Sequence, residues 1–357
     1  MRVFLISILF SCFTWAACSA QDLHFTQYTS APMLLNPALT ASWKDVELTL
    51  QQKQQWQTVS AYSTSGLSFE IKASRFNWEK IDRMTANYKK KLMKGLAFGL
   101  YAYSDKAGDG SLRSNDIDFG IAYHARVDDL NAISGGLIGG IIQNSISADK
   151  LRWNSQYSTN GYDPTIISGE NITGSHVKPD FGLGVLWTYG KVSRTISSND
   201  ETNIHAGVSI MHVNRPDASF ISGDDRMHMR FTVHSAAILK VTNTNVAICP
   251  SFLVMKQGKQ NELTVGTLFK FEMKESSKIT GFKKSSYFLL GAYYRHKDAI
   301  SPYIGFEFSA YSLGLSYDAN ISGFNAVTKG MGGIEVMLRL SNPQAFLYQN
   351  KTKASFD

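Results

Sequence analysis

Cysteine is scarce in this chain of 357 residues, which contains only Cys12, Cys18 and Cys249. The first two lie in an apolar stretch at the N-terminus, so the chain beyond that stretch keeps a single thiol. One thiol cannot form an internal disulfide, and the fold must therefore be stable without one. We expect Cys249 to behave as a small buried or lipid-facing apolar residue.

Long hydrophobic runs are missing beyond the N-terminus. Charged residues make up only 18% of the chain, yet no internal stretch reaches the roughly 20 apolar residues that a membrane-spanning helix needs. The mean hydropathy of −0.16 is compatible with membrane-spanning strands, because their apolar and polar residues alternate and average out. The net charge of +7 is modest and the lysines are spread, so nucleic-acid binding is not indicated.

Catalytic and ligand-binding motifs are also absent. The sequence has no Ser-His-Asp signature, nucleophile elbow, phosphate-binding loop or dinucleotide fingerprint. None of the eight histidines forms a helical metal-binding pair, and the spacing around Asp105 and Asp109 is wrong for a calcium loop. We therefore expect no enzyme activity, no cofactor and no metal. An outer-membrane hydrolase stays open as an alternative, which would require a converging Ser-His pair.

The N-terminus is typical of a secretory signal peptide, which we assign to residues 1–20. Arg2 precedes an apolar stretch that ends at Ala17, and small residues stand before Gln21. A lipoprotein anchored at Cys18 is the alternative. It is disfavoured because Trp15 occupies a position where a lipobox has an aliphatic residue.

From about Val46 to Leu340 the sequence alternates between apolar and polar residues in segments of about ten residues. In the clearest segment, 310–318, Tyr311, Leu313, Leu315 and Tyr317 share one face. Such segments have the length and alternation of tilted membrane-crossing strands. The pattern predicts an all-β transmembrane antiparallel barrel of about 14 strands, an even number as single-chain bacterial barrels have. These strands are predicted near 45–55, 59–71, 93–104, 115–126, 131–143, 180–189, 202–212, 231–240, 245–256, 262–272, 286–296, 300–308, 310–318 and 332–340.

The barrel is expected to span residues 45–341, after a short periplasmic or plug segment at 21–44 and before a tail at 342–357. With both termini in the periplasm, the long gaps at 144–179 and 213–230 would face outward. One small helical insert is predicted at 72–92, where apolar residues recur at helical spacing before a lysine cluster. We interpret it as a surface helix; docking to a periplasmic partner or to anionic lipid is the alternative.

Several charged residues are predicted to face the interior of the barrel: Asp118, Lys270, Glu272, Glu307, Glu335 and Arg339. They could form a selectivity ring, but both signs occur together, which favours mutual bracing across a filled lumen. His124 and His234 are also predicted to face inward, and Gly135, Gly136, Gly139 and Gly140 to relieve crowding at a bend.

Two segments near the start of the mature chain carry a family resemblance: QDLHFTQY at 21–28 and NPALT at 36–40. They resemble the opening segments of the PorP/SprF family of type IX secretion and gliding-motility proteins from Bacteroidetes, although Leu23 and Thr26 replace the usual proline and serine. Weaker matches follow in family order along nearly the whole chain: 54–56, 122–124, 179–182, 212–216, 291–295, 314–318 and 332–336. The chain ends at Asp357 without the Cys-Pro tail of many members.

The resemblance implies a non-enzymatic protein of the cell outer membrane that works with periplasmic and outer-membrane components of the type IX system. It also implies a secreted surface protein as cargo, which the barrel helps to export or anchors through the C-terminal domain of that cargo. The alternative from a different class is a passive porin or small-solute channel. No site residues are carried over from the family.

Aromatic residues outside the strands are candidates for partner binding. Phe25, Tyr28 and Trp43 flank the proline-containing segment 31–42, which either contacts a partner or plugs the periplasmic mouth. The long outer loop contains Trp153, Tyr157 and Tyr162, which suit cargo binding. Simple packing of that loop over the barrel is the alternative.

Overall fold

In the computed structural model, residues 24–56, 62–73, 95–108, 112–147, 151–159, 161–169, 174–191, 202–220, 226–274, 286–323 and 325–341 are described. They form a closed antiparallel barrel of fourteen strands, and a two-stranded hairpin lies in one loop. The strands are β1 Val46–Gln55, β2 Tyr62–Lys72, β3 Leu96–Ala107, β4 Leu112–Arg126, β5 Asn131–Ser145, β6 Tyr157–Ser158, β7 Gly161–Tyr162, β8 Ser175–Lys191, β9 Thr202–Met211, β10 Arg230–Lys240, β11 Val246–Gln257, β12 Gln260–Lys274, β13 Ser286–Arg295, β14 Ala299–Phe308, β15 Tyr311–Asn320 and β16 Met331–Ser341.

Alternation of side chains decides which face of each strand meets the membrane. In β15, Leu313 is 52% exposed on the outside, whereas Ser316 is 1% exposed and faces the lumen. The same alternation gives the barrel an apolar outer surface, as a membrane-spanning barrel requires. None of the helices in the described part of the chain is long and apolar enough to span a membrane.

The predicted strand pattern is confirmed, with the largest difference at β8. That strand runs from Ser175 to Lys191, beyond the predicted 180–189 at both ends. It pairs with β5 from Asn131 to Ser145, which is also longer than predicted. The extra residues carry the wall past the apolar band, where polar residues replace the apolar alternation that the sequence analysis depended on.

Pairing of β1 with β16 closes the barrel, and we call this pairing the seam. Leu48 lies opposite Leu340 and Lys53 lies opposite Glu335 across it. We call the end where β1 begins and β16 ends the near rim, and the opposite end the far rim. The connection 146–174, which includes β6 and β7, lies at the far rim, as does 212–229, while the tight connections 127–130, 241–245 and 309–310 lie at the near rim.

The N-terminal segment, residues 24–45, runs lengthwise through the lumen. It forms three short helical turns, Tyr28–Ser30, Pro32–Leu35 and Pro37–Leu39. His24 lies close to Lys53 near the far rim, because the Lys53 ammonium donates to the His24 carbonyl at 3.4 Å. At the other end, the Lys72 ammonium contacts Asp45 at 3.0 Å near the near rim. The N-terminal segment thus enters the lumen towards the far rim at His24 and leaves it at the near rim at Asp45. The last described residue, Ser341, also lies at the near rim.

Three predicted features lie outside the described residues. These are the signal peptide at 1–20, the tail at 342–357, and most of the helical insert at 72–92, of which only residues 72–73 are described.

Candidate functional site: a filled lumen and two rims

Thr26 and Gln27 are held near the far rim by a cluster of four buried charges. The backbone N–H groups of Thr26 and Gln27 donate to the two carboxylate oxygens of Glu335, at 2.7 and 3.0 Å. The Thr26 hydroxyl lies 2.8 Å from an oxygen of Asp318. We call this arrangement the far clamp. It fixes the end of the segment with charge-assisted hydrogen bonds, which are stronger than neutral ones.

The charges of the far clamp also neutralise one another. Lys53 lies 3.4 Å from Asp318 and 4.0 Å from Glu335, and Arg295 lies 3.0 Å from Asp318. Arg295 also forms a close ion pair with Asp298, so each cation of this cluster has an anion beside it and is not isolated in a low-dielectric interior.

Ion pairing extends to the remaining inward-facing charges predicted from the sequence except Asp118, which lies among other acids. Arg339 lies 3.2 Å from Glu47, Lys240 lies 3.1 Å from Glu272, and Lys270 forms a close ion pair with Glu307. The structure therefore favours mutual bracing over a free selectivity ring. Sequence alternation predicted that these residues face inward, but it did not predict which residue pairs with which.

Asn36 anchors the middle of the segment to the wall of the barrel. Its amide nitrogen lies 3.1 and 3.2 Å from the carbonyl oxygens of Val185 and Val208, and its carbonyl oxygen accepts from the Ala38 N–H at 2.9 Å. The same amide nitrogen lies 3.0 Å from a ring nitrogen of His234. Asn36 thus links three strands, β8, β9 and β10.

Glycines make room for this anchor. A Cβ atom at Gly184 would lie 1.9 Å from the Asn36 side-chain oxygen, and one at Gly136 would lie 2.4 Å from Pro37 backbone. The glycine pairs were predicted to relieve crowding at a bend of the barrel. At Gly136 the crowding comes from the N-terminal segment, which we call the plug and which approaches the wall closely there. At Gly135, a Cβ would meet nothing within 4 Å. We call the contact of Asn36 and Pro37 with these glycines the glycine seat.

His124 and His234 face inward as predicted, and both contact the N-terminal segment. His124 lies 2.8 Å from the Thr40 carbonyl through Nε2 and 2.7 Å from the Ser134 hydroxyl through Nδ1. Because a carbonyl only accepts, Nε2 carries the proton and Nδ1 accepts from Ser134. This is a Ser-His pair, but Ser134 is 1% exposed and the histidine is engaged at both nitrogens. The arrangement binds the N-terminal segment through the Thr40 carbonyl.

A cavity of about 400 Å³ lies between the N-terminal segment and strands β9 to β16, β1 and β2 in the near-rim half of the lumen. Trp43, Glu70 and His205 are among its lining residues, together with Tyr287 and Ser341. We call it the vestibule. It leaves space beside the plug at one end of the barrel, whereas the far clamp fills the other end.

The six aromatic residues predicted for partner binding fall into two groups. Phe25 and Tyr28 are buried in the lumen, 2% and 5% exposed, and burial raises the pKa of the Tyr28 hydroxyl above its ordinary value. Trp43 lines the vestibule, with its ring 4.9 Å from that of His205. Trp153, Tyr157 and Tyr162 belong to the same far-rim loop, where the rings of the two tyrosines contact each other.

The far-rim loop is built around the β6–β7 hairpin. The rings of Tyr157 and Tyr162 are 5.5 Å apart, and the Arg152 guanidinium lies 4.9 Å above the Tyr162 ring. Next to the hairpin, the hydroxyl and backbone N–H of Thr165 donate to Asp163 and lower the pKa of that carboxyl. Tyr157 is 51% exposed, so the hairpin presents aromatic surface to solvent. We call this surface the aromatic hairpin.

One group of acids was missed by the sequence analysis. Asp116, Asp118 and Asp180 are buried on β4 and β8, and each offers a carboxylate oxygen within 4.8 Å of the other two. The register brings Asp118 and Asp180 together, because both lie opposite Gly140 on the intervening β5. His212 lies 2.9 Å from Asp180. Their inward positions followed from alternation, but their convergence depended on the register of three strands.

Comparison with known proteins identifies one family. The family model described as type IX secretion system membrane protein PorP/SprF matches residues 17–340. A search of curated proteins found no match.

Several solved structures resemble the barrel. The monoaromatic hydrocarbon channel CymD has 12% identity and a TM-score of 0.42, with 90% of this chain and 94% of that chain covered. A Pseudomonas aeruginosa FadL homologue has 10% identity and a TM-score of 0.42, covering 87% and 93%. The NanC porin has 8% identity and a TM-score of 0.38, covering 83% and 98%.

Proposed function

Because the chain belongs to the PorP/SprF family of type IX secretion system membrane proteins, we propose that it is a plugged, non-enzymatic outer-membrane barrel that holds a secreted protein at the cell surface. The observation that carries this proposal is the occupied lumen. Residues 24–45 run along its length beside the vestibule and form hydrogen bonds and ion pairs with several strands, from Thr26 at one end to Asp45 at the other. A filled barrel suits an anchor that presents its rims to partners.

The two rims receive different partners in this proposal. Bacterial barrels have short periplasmic turns and longer outer loops. The near rim has the tight connections 127–130 and 309–310 and would face the periplasm, where other type IX components are. The far rim has the loop 146–174 and would face outward, towards the cargo.

The aromatic hairpin is the proposed cargo contact. Exposed aromatic rings with a neighbouring arginine are enriched at the centre of protein interfaces, where they bury a large area at low entropic cost. The rings of Tyr157 and Tyr162 contact each other at a tilted angle, and Arg152 lies over Tyr162, so contacts within the hairpin support this surface before a partner binds. Preorganisation of this kind reduces the cost of association.

The experiment replaces Trp153, Tyr157 and Tyr162 by alanine and follows the cargo by fractionation of cells and medium. We expect the cargo to move from the cell surface into the medium while the barrel remains in the outer membrane. Ile167→Ala is the matched control, because Ile167 is an apolar residue of the same loop that is 88% exposed. Unchanged surface retention in the triple variant would refute the hairpin as the cargo contact.

A passive porin is the competing function, and the filled lumen argues against it. Purified protein in planar bilayers is expected to show no stable open pore. A steady conductance with solute selectivity would favour the channel instead of the anchor.

A further inference from the structure

The wall of the barrel is interrupted where β10 meets β11. The two strands pair as far as Ala236 with Ser251 and again from Leu239 with Ile248, and the register skips the residues between these pairs. One of the skipped residues is Pro250, which has no backbone N–H to donate. Because β11 stays paired with β12 through Pro250, the missing hydrogen bond lies on the β10 side.

Small side chains cover the interruption on the membrane side. By the alternation along each strand, Ala237 and Pro250 face outward there, and Thr267 lies beside Pro250 on β12. A larger residue, Phe252, is the next outward residue on β11 and is 40% exposed. The wall at Pro250 therefore has both a missing hydrogen bond and little side-chain cover, which makes it a weak point.

The vestibule lies directly behind this weak point. The four skipped residues, Ala237, Ile238, Cys249 and Pro250, all line it. In membrane proteins, backbone that lacks its regular partner is tolerated at membrane depth only where it is buried in protein or lines a water-filled cavity. The interruption thus separates the lipid-facing surface from a cavity by a single weakened layer.

The vestibule is apolar at the level of the interruption. Ile238 and Leu268 line it there beside Cys249, and Leu35 and Leu39 of the plug line it as well. An apolar cavity without an occupant lacks contact partners for its lining atoms, and a chain of matching size would supply these dispersion contacts. The vestibule has about 400 Å³, within the range of about 300–1,000 Å³ for small-ligand sites.

The charged part of the lining does not favour an ion. Four basic and four acidic side chains line the vestibule, and most of them form the ion pairs described above. Because the two signs balance, the cavity has little net attraction for an anion or a cation. Its apolar lining is therefore the part that selects a ligand.

We propose that the vestibule binds the hydrocarbon chain of a membrane lipid, which enters through the wall between β10 and β11 at Pro250. The entrance is continuous with the lipid-facing surface of the barrel, so the chemistry next to it is that of lipid chains. The bound chain lies against Ile238, Leu268 and Leu289, beside the plug. This binding is separate from cargo retention by the aromatic hairpin, and either proposal can fail without the other.

The test uses the full chain in phospholipid vesicles that contain a trace of phospholipid with a diazirine at the end of one acyl chain. After irradiation, mass spectrometry maps the crosslinked residues. We expect crosslinks on the inward-facing Leu289 as well as on the outward-facing Leu290, which is 50% exposed and serves as the internal reference. Pro250→Ala restores an N–H donor and should lower the inward crosslinks about fivefold relative to Leu290, the factor that one added hydrogen bond gives.

Pro302→Ala is the matched control. Pro302 interrupts the pairing of β14 with β15 in the same way, but it is not among the described residues that line the vestibule. Behind it, the Ser301 hydroxyl donates to Asp318 at 2.7 Å. This variant should keep the inward crosslinks of the parent.

Ile238→Trp is a second variant in case Pro250→Ala fails to fold. Its larger side chain fills part of the vestibule and should lower the inward crosslinks at least threefold. Crosslinks confined to outward-facing residues would overturn the proposal. Unchanged inward crosslinks in folded Pro250→Ala would overturn the side entrance. Inward crosslinks that appear only after deletion of residues 342–357 would assign the vestibule to the tail of this chain instead of lipid.

Discussion

Removal of the Glu335 carboxylate is expected to loosen the plug without dismantling the barrel. Glu335→Ala removes the acceptor for two backbone N–H groups, those of Thr26 and Gln27, at 2.7 and 3.0 Å. It also removes one of the two anions near Lys53, while Asp318 stays 3.4 Å from that ammonium. The wall keeps its strand pairing, because the backbone register of β16 does not involve this side chain.

The magnitude follows from these contacts. Removal of one partner of a buried ion pair costs about 3–5 kcal/mol. Because Lys53 keeps a second carboxylate, Asp318, we take the lower end of this range. The seated state of the plug should therefore lose about 3 kcal/mol of stability relative to the unseated state. Since about 1.4 kcal/mol corresponds to a factor of ten, the unseated state should become roughly a hundredfold more populated. In Glu335→Gln, the population of the unseated state should lie between those of the parent and Glu335→Ala, because the amide oxygen of glutamine still accepts from one of the two N–H groups.

Plug release is measured by maleimide labelling of a cysteine placed at Ser30, which is 5% exposed in the lumen, in a Cys249→Ala background. Labelling in Glu335→Ala should be about a hundredfold faster if unseating equilibrates before the reaction, and single-channel recordings should show openings. Val336→Ala is the control, since Val336 is the next residue on β16 and faces outward, 40% exposed. If Ser30→Cys were equally protected in Glu335→Ala and the parent, the clamp would not hold the plug.

Three other changes test different parts of the molecule. Gly184→Val should unseat Asn36 and lower the melting temperature by several degrees, measured by heat-dependent gel mobility, whereas Gly135→Ala should not. Leu315→Arg places a charge on the outward face and should cost about 2–4 kcal/mol of folding free energy in lipid vesicles, with Leu315→Met nearly neutral. Asp128 accepts from the N–H groups of Leu130 and Asn131, which lowers the pKa of its carboxyl. The near-rim turn should therefore be ordered above the ordinary pKa of aspartate and should lose amide protection as pH falls through the lowered value; equal protection in Asp128→Ala, which removes the acceptor, would refute this.

The wall of the barrel could be predicted from the sequence because its determinants are local. Alternation along a strand needs only a window of ten residues, and Leu313 and Ser316 on β15 already show which face meets lipid. Closure follows from the same pattern, since an edge strand with unpaired backbone groups is unfavourable in a membrane. The strand count and the inward positions of His124 and Glu335 were therefore predictable.

The path of the N-terminal segment could not be predicted from local pattern. Its contacts join residues that are far apart in sequence, such as Thr26 with Glu335 and Asn36 with His234. Proline and asparagine indicated a non-strand segment, but not that it passes through the whole lumen. The segment was expected either to plug the periplasmic mouth or to contact a partner; in the structure it spans the lumen lengthwise, and His24 lies near the far rim beside Lys53. The close approach of Asn36 to Gly184 is a signal that covariation between these two positions could have revealed.

The far clamp also couples the plug to closure of the barrel. Lys53 and Glu335 lie directly opposite each other across the seam, on the first and last strands. The Glu335 carboxylate binds Thr26 and Gln27, and the Lys53 ammonium donates to the His24 carbonyl, so the segment contacts both sides of the seam at once. The complete set of contacts, to β1 and β16 at once, exists only when these two strands are paired. Seating of the plug therefore stabilises the closed seam relative to an open sheet, and closure of the seam completes the site for the plug.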